Sequence, residues 1–403
     1  MTRRTVVWGA VLWMAASSAV IARAAPVRLT IQTALLPWRG SGLLDNRVAS
    51  ELHQEFVARH PGLTLVEFEP AALPGPQAGA GQIMSLAAQA GPDLMMIDFK
   101  DLGVYVGAGL VQPMDDLWAA WPENGRWPAE LIAGLGLEGH QWMVPSAASI
   151  AMLAASERAC AAEGISAGSL PRDWDGLIAL ARRLARPGRP GLALPGGVSL
   201  AYLWHALARQ DAGGEIVRVT PDGISQDVAG TAGVHAAECL ARAGAELRRD
   251  DGPGLPVFDD PAALLAAVAA EHLALGVTDT RHVEASVAVL PADRLRLAPV
   301  PGAAAAGPVT YVVAGYGSVL PTSLRDPALR TLAWEYQTTA MLTNGAFERR
   351  LLDLAAHAPG VISLDLASRF PAHPAVARWP ASWVAAMVAG TGGARPNPPH
   401  PEF

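Results

Sequence analysis

The chain has 403 residues, 51% hydrophobic and 17% charged, with 40 glycines and 33 prolines. It is too apolar to be a disordered chain and too long for one small module, so two or three globular units are expected. Thirty basic residues against 37 acidic ones give a net charge of −7. No basic stripe runs along the chain, which argues against nucleic acid as a partner. Lys100 is its only lysine.

Residues 1–24 read as an export leader. Thr2-Arg3-Arg4 is a short basic start, Thr5 to Ile21 is uncharged and apolar, and Ala22-Arg23-Ala24 supplies the small-x-small pattern that signal peptidase cuts. The expected product is a soluble periplasmic protein cut after Ala24. An uncleaved anchor is the alternative, since the apolar stretch approaches the ~20 residues of a membrane span. Arg3-Arg4 leaves open whether the export route is the twin-arginine or the general one. With only Cys160 and Cys239, a disulfide-built scaffold is excluded; a bridge between them stays open, two reduced core thiols being the simpler reading. No cysteine stands at the leader end to carry a lipid.

Downstream, Val27 to Ile31 alternates as a strand does, and Asp45 is placed to cap a helix with Val48, Leu52 and Phe56 on one face. Pro61-Gly62 stops that helix, and Leu63 to Phe68 is a second strand. After a Pro/Gly/Ala-rich loop, Gln82 to Gln89 reads as a helix. The run Leu94-Met95-Met96-Ile97 then suits a strand covered on both faces. The same grammar restarts after residue 145. Asp173 caps a helix carrying Leu177, Leu180, Ala181 and Leu184; Leu192 to Leu194 is a short strand; a helix from Ser199 ends at Gly213-Gly214. Asp260-Pro261 and Asp326-Pro327 each open a further helix. Trp118, Trp121 and Trp127 read as packing residues. Strand-helix order in both stretches predicts an α/β fold in two lobes.

Three stretches carry a resemblance. They are Glu51 to Phe56 with Arg59-His60-Pro61-Gly62-Leu63; Gly91-Pro92-Asp93 through Asp98 running into Ala108 to Asp116; and Gly139 to Pro145 followed by Glu163-Gly164-Ile165 and Leu170 to Leu177. Gly213-Gly214 and Tyr311 to Pro321 continue it. In order and spacing the chain resembles the extracellular solute-binding proteins of ABC importers, of the carbohydrate type. That resemblance implies a bilobal periplasmic-binding-protein fold with a hinge crossed several times. Residues 25–145 and 305–345 would form the first lobe, 146–304 and 346–389 the second, and 390–403 a flexible tail. It further implies a monomer that captures a small polar solute, such as a sugar or polyol, and delivers it to a membrane permease, with no catalysis, cofactor or metal. Two departures stand out. After Met143-Val144-Pro145 the family's aromatic-Tyr-Asn strand is replaced by Met152-Leu153-Ala154-Ala155-Ser156, and its sugar-stacking Trp near Leu275 to Val277 by Thr278-Asp279-Thr280. A more polar or cationic solute is therefore an open alternative to an ordinary sugar.

In open α/β sheets, ligands lie beyond the carboxyl ends of strands. Trp38, Arg39 and Asp98 are expected there from the first lobe, Trp204 and Asp279 from the second, and Gly315 and Tyr316 at the rim. Each has a plainer reading: Trp38 or Trp204 as packing, Asp98 as a helix cap, Asp279 as a loop charge, Gly315 as a turn residue. Gly197-Val198-Ser199-Leu200-Ala201 resembles a nucleophile elbow, which makes an exported serine hydrolase the enzymatic alternative. Ser199 as a helix N-cap accounts for it equally. A membrane-tethered interaction protein without a ligand is the third class. There is no H-E-x-x-H and no phosphate-binding G-x-x-x-x-G-K-[ST].

Overall fold

The computed structural model describes residues 26–32, 44–68, 78–166, 169–213, 216–220, 223–247, 255–280, 282–283, 292–303, 307–342, 349–350, 353, 372–374 and 376–391. The first strands are β1 (Val27–Gln32), β2 (Leu63–Glu67) and β3 (Leu94–Asp98), with β1 paired in parallel to both of the others. Between β1 and β2, α1 (Leu44–Arg59) buries the expected stripe of Val48, Leu52 and Phe56. Beyond its end Gly62 takes φ +89°, a left-handed backbone that costs glycine nothing. The next helix, α2 (Ala78–Ala87), starts one turn before the expected Gln82, because Ala78 and Ala80 are strong helix formers inside a stretch that reads as loop.

A helical layer follows β3: α3 (Leu102–Gly107), then β4 (Val111–Gln112), α4 (Asp115–Ala120), α5 (Ala129–Leu135) and the small hairpin β5 (Gly136–Leu137) with β6 (His140–Gln141). The expected tryptophan packing is here. The Trp121 ring meets Trp118 edge-on at 5.6 Å and Trp334 at 6.0 Å between centroids.

The chain does not break at Pro145. It forms one 13-residue strand, β7 (Val144–Ser156). Then come α6 (Glu157–Ala162), α7 (Trp174–Leu184), β8 (Leu192–Pro195), α8 (Gly197–Ala212), the hairpin β9 (Val217–Thr220) and β10 (Gly223–Gln226), and α9 (Thr231–Glu246). The last elements are β11 (Val257–Phe258), α10 (Pro261–Ala269), β12 (Leu275–Asp279), β13 (Leu295–Pro299), β14 (Val312–Pro321), α11 (Pro327–Glu335) and α12 (Ala381–Thr391). Three of the four anticipated aspartate caps form: Asp173 accepts from Gly176 N at 2.7 Å, Asp260 from Ala262 N at 2.9 Å, and Asp326 from Ala328 N at 2.8 Å, whereas Asp45 falls inside α1, which begins at Leu44. Gly213, at φ +63°, closes α8.

The strands order as β11-β8-β12-β7-β14-β3-β1-β2, with β13 on β7 and β4 on β14. The two expected lobes do not come with two separate sheets: the hydrogen-bonded path is continuous, and β7 is the reason. Residues 144–150 of β7 pair with β14, which in turn pairs with β3. Residues 151–155 pair with β12 and, on the opposite edge, residues 152–156 pair with β13. Pro145 is tolerated because it lies at a register shift opposite Gly317, where no ladder N–H is needed. Two hydrophobic cores sandwich the second half of β7. Ile150, Met152 and Ala154 enter one with Leu264 and Trp383, while Ala151, Leu153 and Ala155 enter the other with Trp174 and Leu203. Cys160 and Cys239 are buried and unbridged, and burial raises both thiols above their ordinary range.

Candidate functional site

The carboxyl end of β3 is a dense polar corner. Asp98 opens a single 3₁₀ turn, Phe99–Asp101, by accepting from Lys100 N at 3.1 Å, and it holds the Lys100 ammonium at 3.0 Å. Its capping reading is thus realised. Burial works to lower Lys100, but the Asp98 hydrogen bond and the charges of Asp98 and Asp101 outweigh it and raise the ammonium above its usual range. Asp101 begins α3 without bonding its backbone. Burial raises its carboxyl, Lys100 opposes this, and Asp98 reinforces it. Across the ladder Tyr316 is the register partner of Asp98, and Gly315 leaves room for the Phe99 ring, which a Cβ at that position would meet at 2.2 Å. The Gly315–Tyr316–Gly317 pattern therefore serves side-chain packing, Gly317 doing the same for Met143.

In the other half of the sheet, β8 leads directly into α8, whose first turn has Gly196 as its cap and Gly197 at φ +54°. Ser199 lies inside that turn and is not the cap. No histidine is hydrogen-bonded to it among the described residues. Trp204 is half-buried; its indole N–H donates to Gly233 O at 3.0 Å and its ring covers Gly233, joining α8 to α9. Two residues earlier, Tyr202 is buried with its phenol raised by burial and by the charges of Asp98 and Asp101, against the opposing charge of Lys100. Tyr202 is the residue of α8 whose charge environment comes from the β3 corner.

Asp279, at the end of β12, is 2% exposed, not a loop charge. Its Oδ1 accepts from Ser149 Oγ at 3.0 Å and from His282 N at 3.2 Å, and its Oδ2 holds His282 Nδ1 at 2.6 Å. Thr280 Oγ1 adds a contact to Ser149 Oγ at 3.1 Å and accepts from Ile150 N at 3.2 Å. Tyr311, buried beside this group, has its phenol raised by burial and by the Asp279 charge.

Of the expected residues, Asp98, Gly315 and Tyr316 come together along the β3–β14 ladder. Asp279 sits at the crossover of β7, and Trp204 faces α9. Trp38 and Arg39 lie outside the described residues. Lys100, Asp101, Tyr202, Ser149 and His282 were missed from the sequence. Lys100 alone carried a signal, as the single lysine of the chain. Among the described residues no group of three or more His, Cys, Asp and Glu side chains is placed to hold a metal, and no helix is long and apolar enough to cross a membrane.

No curated protein matches this sequence. Solved structures do match in fold. The sugar-binding protein MalE from Xanthomonas citri is 13% identical, with a TM-score of 0.66 over 93% of this chain and 88% of that one. UgpB from Mycobacterium tuberculosis, solved with glycerophosphocholine, is 16% identical, with a TM-score of 0.63 over 92% and 87%. A solute-binding protein from Thermotoga lettingae bound to α-D-tagatose is 15% identical, with a TM-score of 0.58 over 93% and 90%. The family model for bacterial extracellular solute-binding proteins matches residues 46–336. The chain belongs to the bacterial extracellular solute-binding protein family.

Proposed function

We propose that the protein is the exported receptor of an ABC importer, closing two lobes on a small polar solute and presenting it to a membrane permease. The observation that carries this reading is the sharing of β7: its first half belongs to the β14–β3–β1–β2 side and its second half to the β12–β8–β11 side. A strand common to two halves is a natural hinge, since a small twist along it re-aims both. The solute would sit between the carboxyl ends of β3 and β8. Trp38, Arg39, Asp98 and Tyr316 are its proposed contacts. Asp279 and Trp204 act behind them through their bonds to Ser149, His282 and Gly233, and Gly315 acts by admitting Phe99.

The lobes are proposed to follow the sequence-derived limits, 25–145 with 305–345 and 146–304 with 346–389, the molecule being a monomer. The leader is proposed to be removed after Ala24; intact mass of the periplasmic protein tests this, and a membrane-bound species retaining residues 1–24 contradicts it. The relatives solved with tagatose and glycerophosphocholine motivate sugars, polyols and phosphodiesters as first probes. A thermal-shift screen over these and over amines tests the receptor reading. One solute raising the melting midpoint in a saturable, concentration-dependent way is the expected result. Silence across the panel, with binding absent by calorimetry, contradicts it.

A further inference from the structure

Two consecutive side chains after α11 reach different elements. The helix widens there into a π-helical turn, Tyr336–Leu342, an irregularity of the kind that gathers at functional places. Tyr336 turns to α1. Its buried ring lies edge-on to His53 and to Phe56, each 5.3 Å away between centroids, and its hydroxyl is hydrogen-bonded to His53 Nε2. Gln337 turns to β7. It is 2% exposed; its amide donates to Ser146 Oγ at 3.1 Å, and its Oε1 is buried with no hydrogen-bond partner among the described residues. Ser146 is the extra residue of a β-bulge, since Ala147 faces Tyr316 and Pro145 faces Gly317 on β14. A bulge is where a strand bends most readily.

We propose that this turn is an acid-sensitive latch: Gln337 holds the bulge of β7 while His53 accepts from Tyr336, and a proton on His53 releases it. This rests on the receptor reading and adds a regulation to it. Burial raises the Tyr336 phenol well above its ordinary range, so the hydroxyl keeps its proton and donates it to the lone pair of neutral His53. A proton on His53 Nε2 takes that lone pair, strands the phenolic hydrogen and places a charge where burial opposes it. The charged groups around it are engaged elsewhere among the described residues. Glu51 pairs with Arg47 and Arg350, Glu55 with Arg350, and Glu335 with His60, while Arg59 lies over the Phe56 ring. Under the proposed lobe limits the chain passes from the first lobe to the second just beyond this turn, so the latch grips the shared strand where it bends. Once released, the bulge samples several settings. Closing on a solute must then order it anew, which weakens binding.

Hydrogen exchange read by mass spectrometry on the intact protein tests this, with rates corrected for intrinsic exchange. Residues 152–156 of the same strand are the internal reference, being held by β12 and β13. Between pH 7 and pH 4 the amides of residues 146–150 should exchange about tenfold faster in the wild type, with the reference unmoved. His53→Gln, which offers Tyr336 an acceptor and takes no proton, should abolish that response. Gln337→Leu should exchange fast already at pH 7 and respond no further to acid; should it misfold, Ser146→Ala cuts the same bond from the other side. No acid response at 146–150, or an equal one in the reference, overturns the latch. A response that survives in His53→Gln overturns the sensor, and one that survives in Gln337→Leu overturns the route. Calorimetry at pH 7 then uses maltose, tagatose and glycerophosphocholine as probes. Any that binds should bind Gln337→Leu about fivefold more weakly and His53→Gln like the wild type. Equal affinity in Gln337→Leu overturns the link to the solute. No binding by any probe, with the exchange pattern present, overturns the receptor reading and leaves the latch standing.

Discussion

Ser149 donates its hydroxyl to Asp279 at 3.0 Å, tying the middle of β7 to the end of β12 across 130 residues of sequence. The carboxylate is 2% exposed and also holds His282, so it is satisfied on both oxygens. Removing it strands the Ser149 hydroxyl and the His282 ring at the crossover of the sheet. Asp279→Ala should therefore cost about 3 kcal/mol of stability, as expected for one partner lost from a buried pair. Asp279→Asn, which keeps an acceptor, should cost about 1–2 kcal/mol. Urea melts of both variants check the order.

His53 supplies an acid-sensitive contribution. It lies against Tyr336, whose hydroxyl hydrogen-bonds its Nε2, and burial lowers its pKa to about 4 from the usual 6.5. The unfolded chain binds a proton that the folded chain refuses. Stability from this residue is complete above pH 6.5 and falls as the pH drops through 4, for a total loss of about 3 kcal/mol. The melting midpoint should drop over that interval, and the drop should be shallower in His53→Gln. An unchanged acid slope in that variant contradicts the assignment.

Gly315→Ala places a methyl 2.2 Å from the Phe99 ring. Phe99 is 3% exposed and packed in the core, so the ring must displace core neighbours to make room. Overpacking of this kind costs about 1–3 kcal/mol, and the 3₁₀ turn that carries Lys100 should shift with Phe99. A thermal melt measures the first effect, and the NMR resonance of Lys100, the single lysine of the chain, after reductive ¹³C-methylation measures the second.

Trp204→Phe removes only the indole donor to Gly233 O, 3.0 Å away, and keeps most of the ring over that glycine. The expected loss is about 1 kcal/mol, within the range of one neutral hydrogen bond. Solute affinity should be unchanged, because the indole N–H points at α9. A variant that melts like the wild type but binds more weakly would return Trp204 to the ligand.

Much of this fold is legible as local grammar. Asp173, Asp260 and Asp326 announce their helices, Gly62 and Gly213 end theirs, and the Leu94–Ile97 run declares a strand covered on both faces. The crossover is not legible in this way. Residues 144–156 read VPSAASIAMLAAS, with a proline at the second position and small residues that show no alternation, so nothing local marks a 13-residue strand. The polar group around Asp279 joins side chains from residues 149, 279, 280 and 282, and the Phe99–Gly315 fit spans more than 200 residues. Such pairings are tertiary facts. Sequence nominated Asp98 and Trp204 because Asp and Trp are ligand-friendly types; the fold also gives each a structural bond, to Lys100 and to Gly233, that no local pattern announces.

The place of β14 in the sheet has a consequence for how the chain is made. Met96 in β3 pairs with Ser318 in β14, so the edge of β3 stays open until some 220 further residues have been synthesised. An emerging amino-terminal segment can assemble β1, β2, β3 and α1 but cannot close that edge, and β7 meets the same delay on its first half. Loop closure over such a separation is slow, and an uncovered strand edge attracts other chains. The order of synthesis thus keeps the first third of the protein from finishing early. In crowded conditions its fate is set by whether residues 312–321 arrive before a foreign strand does.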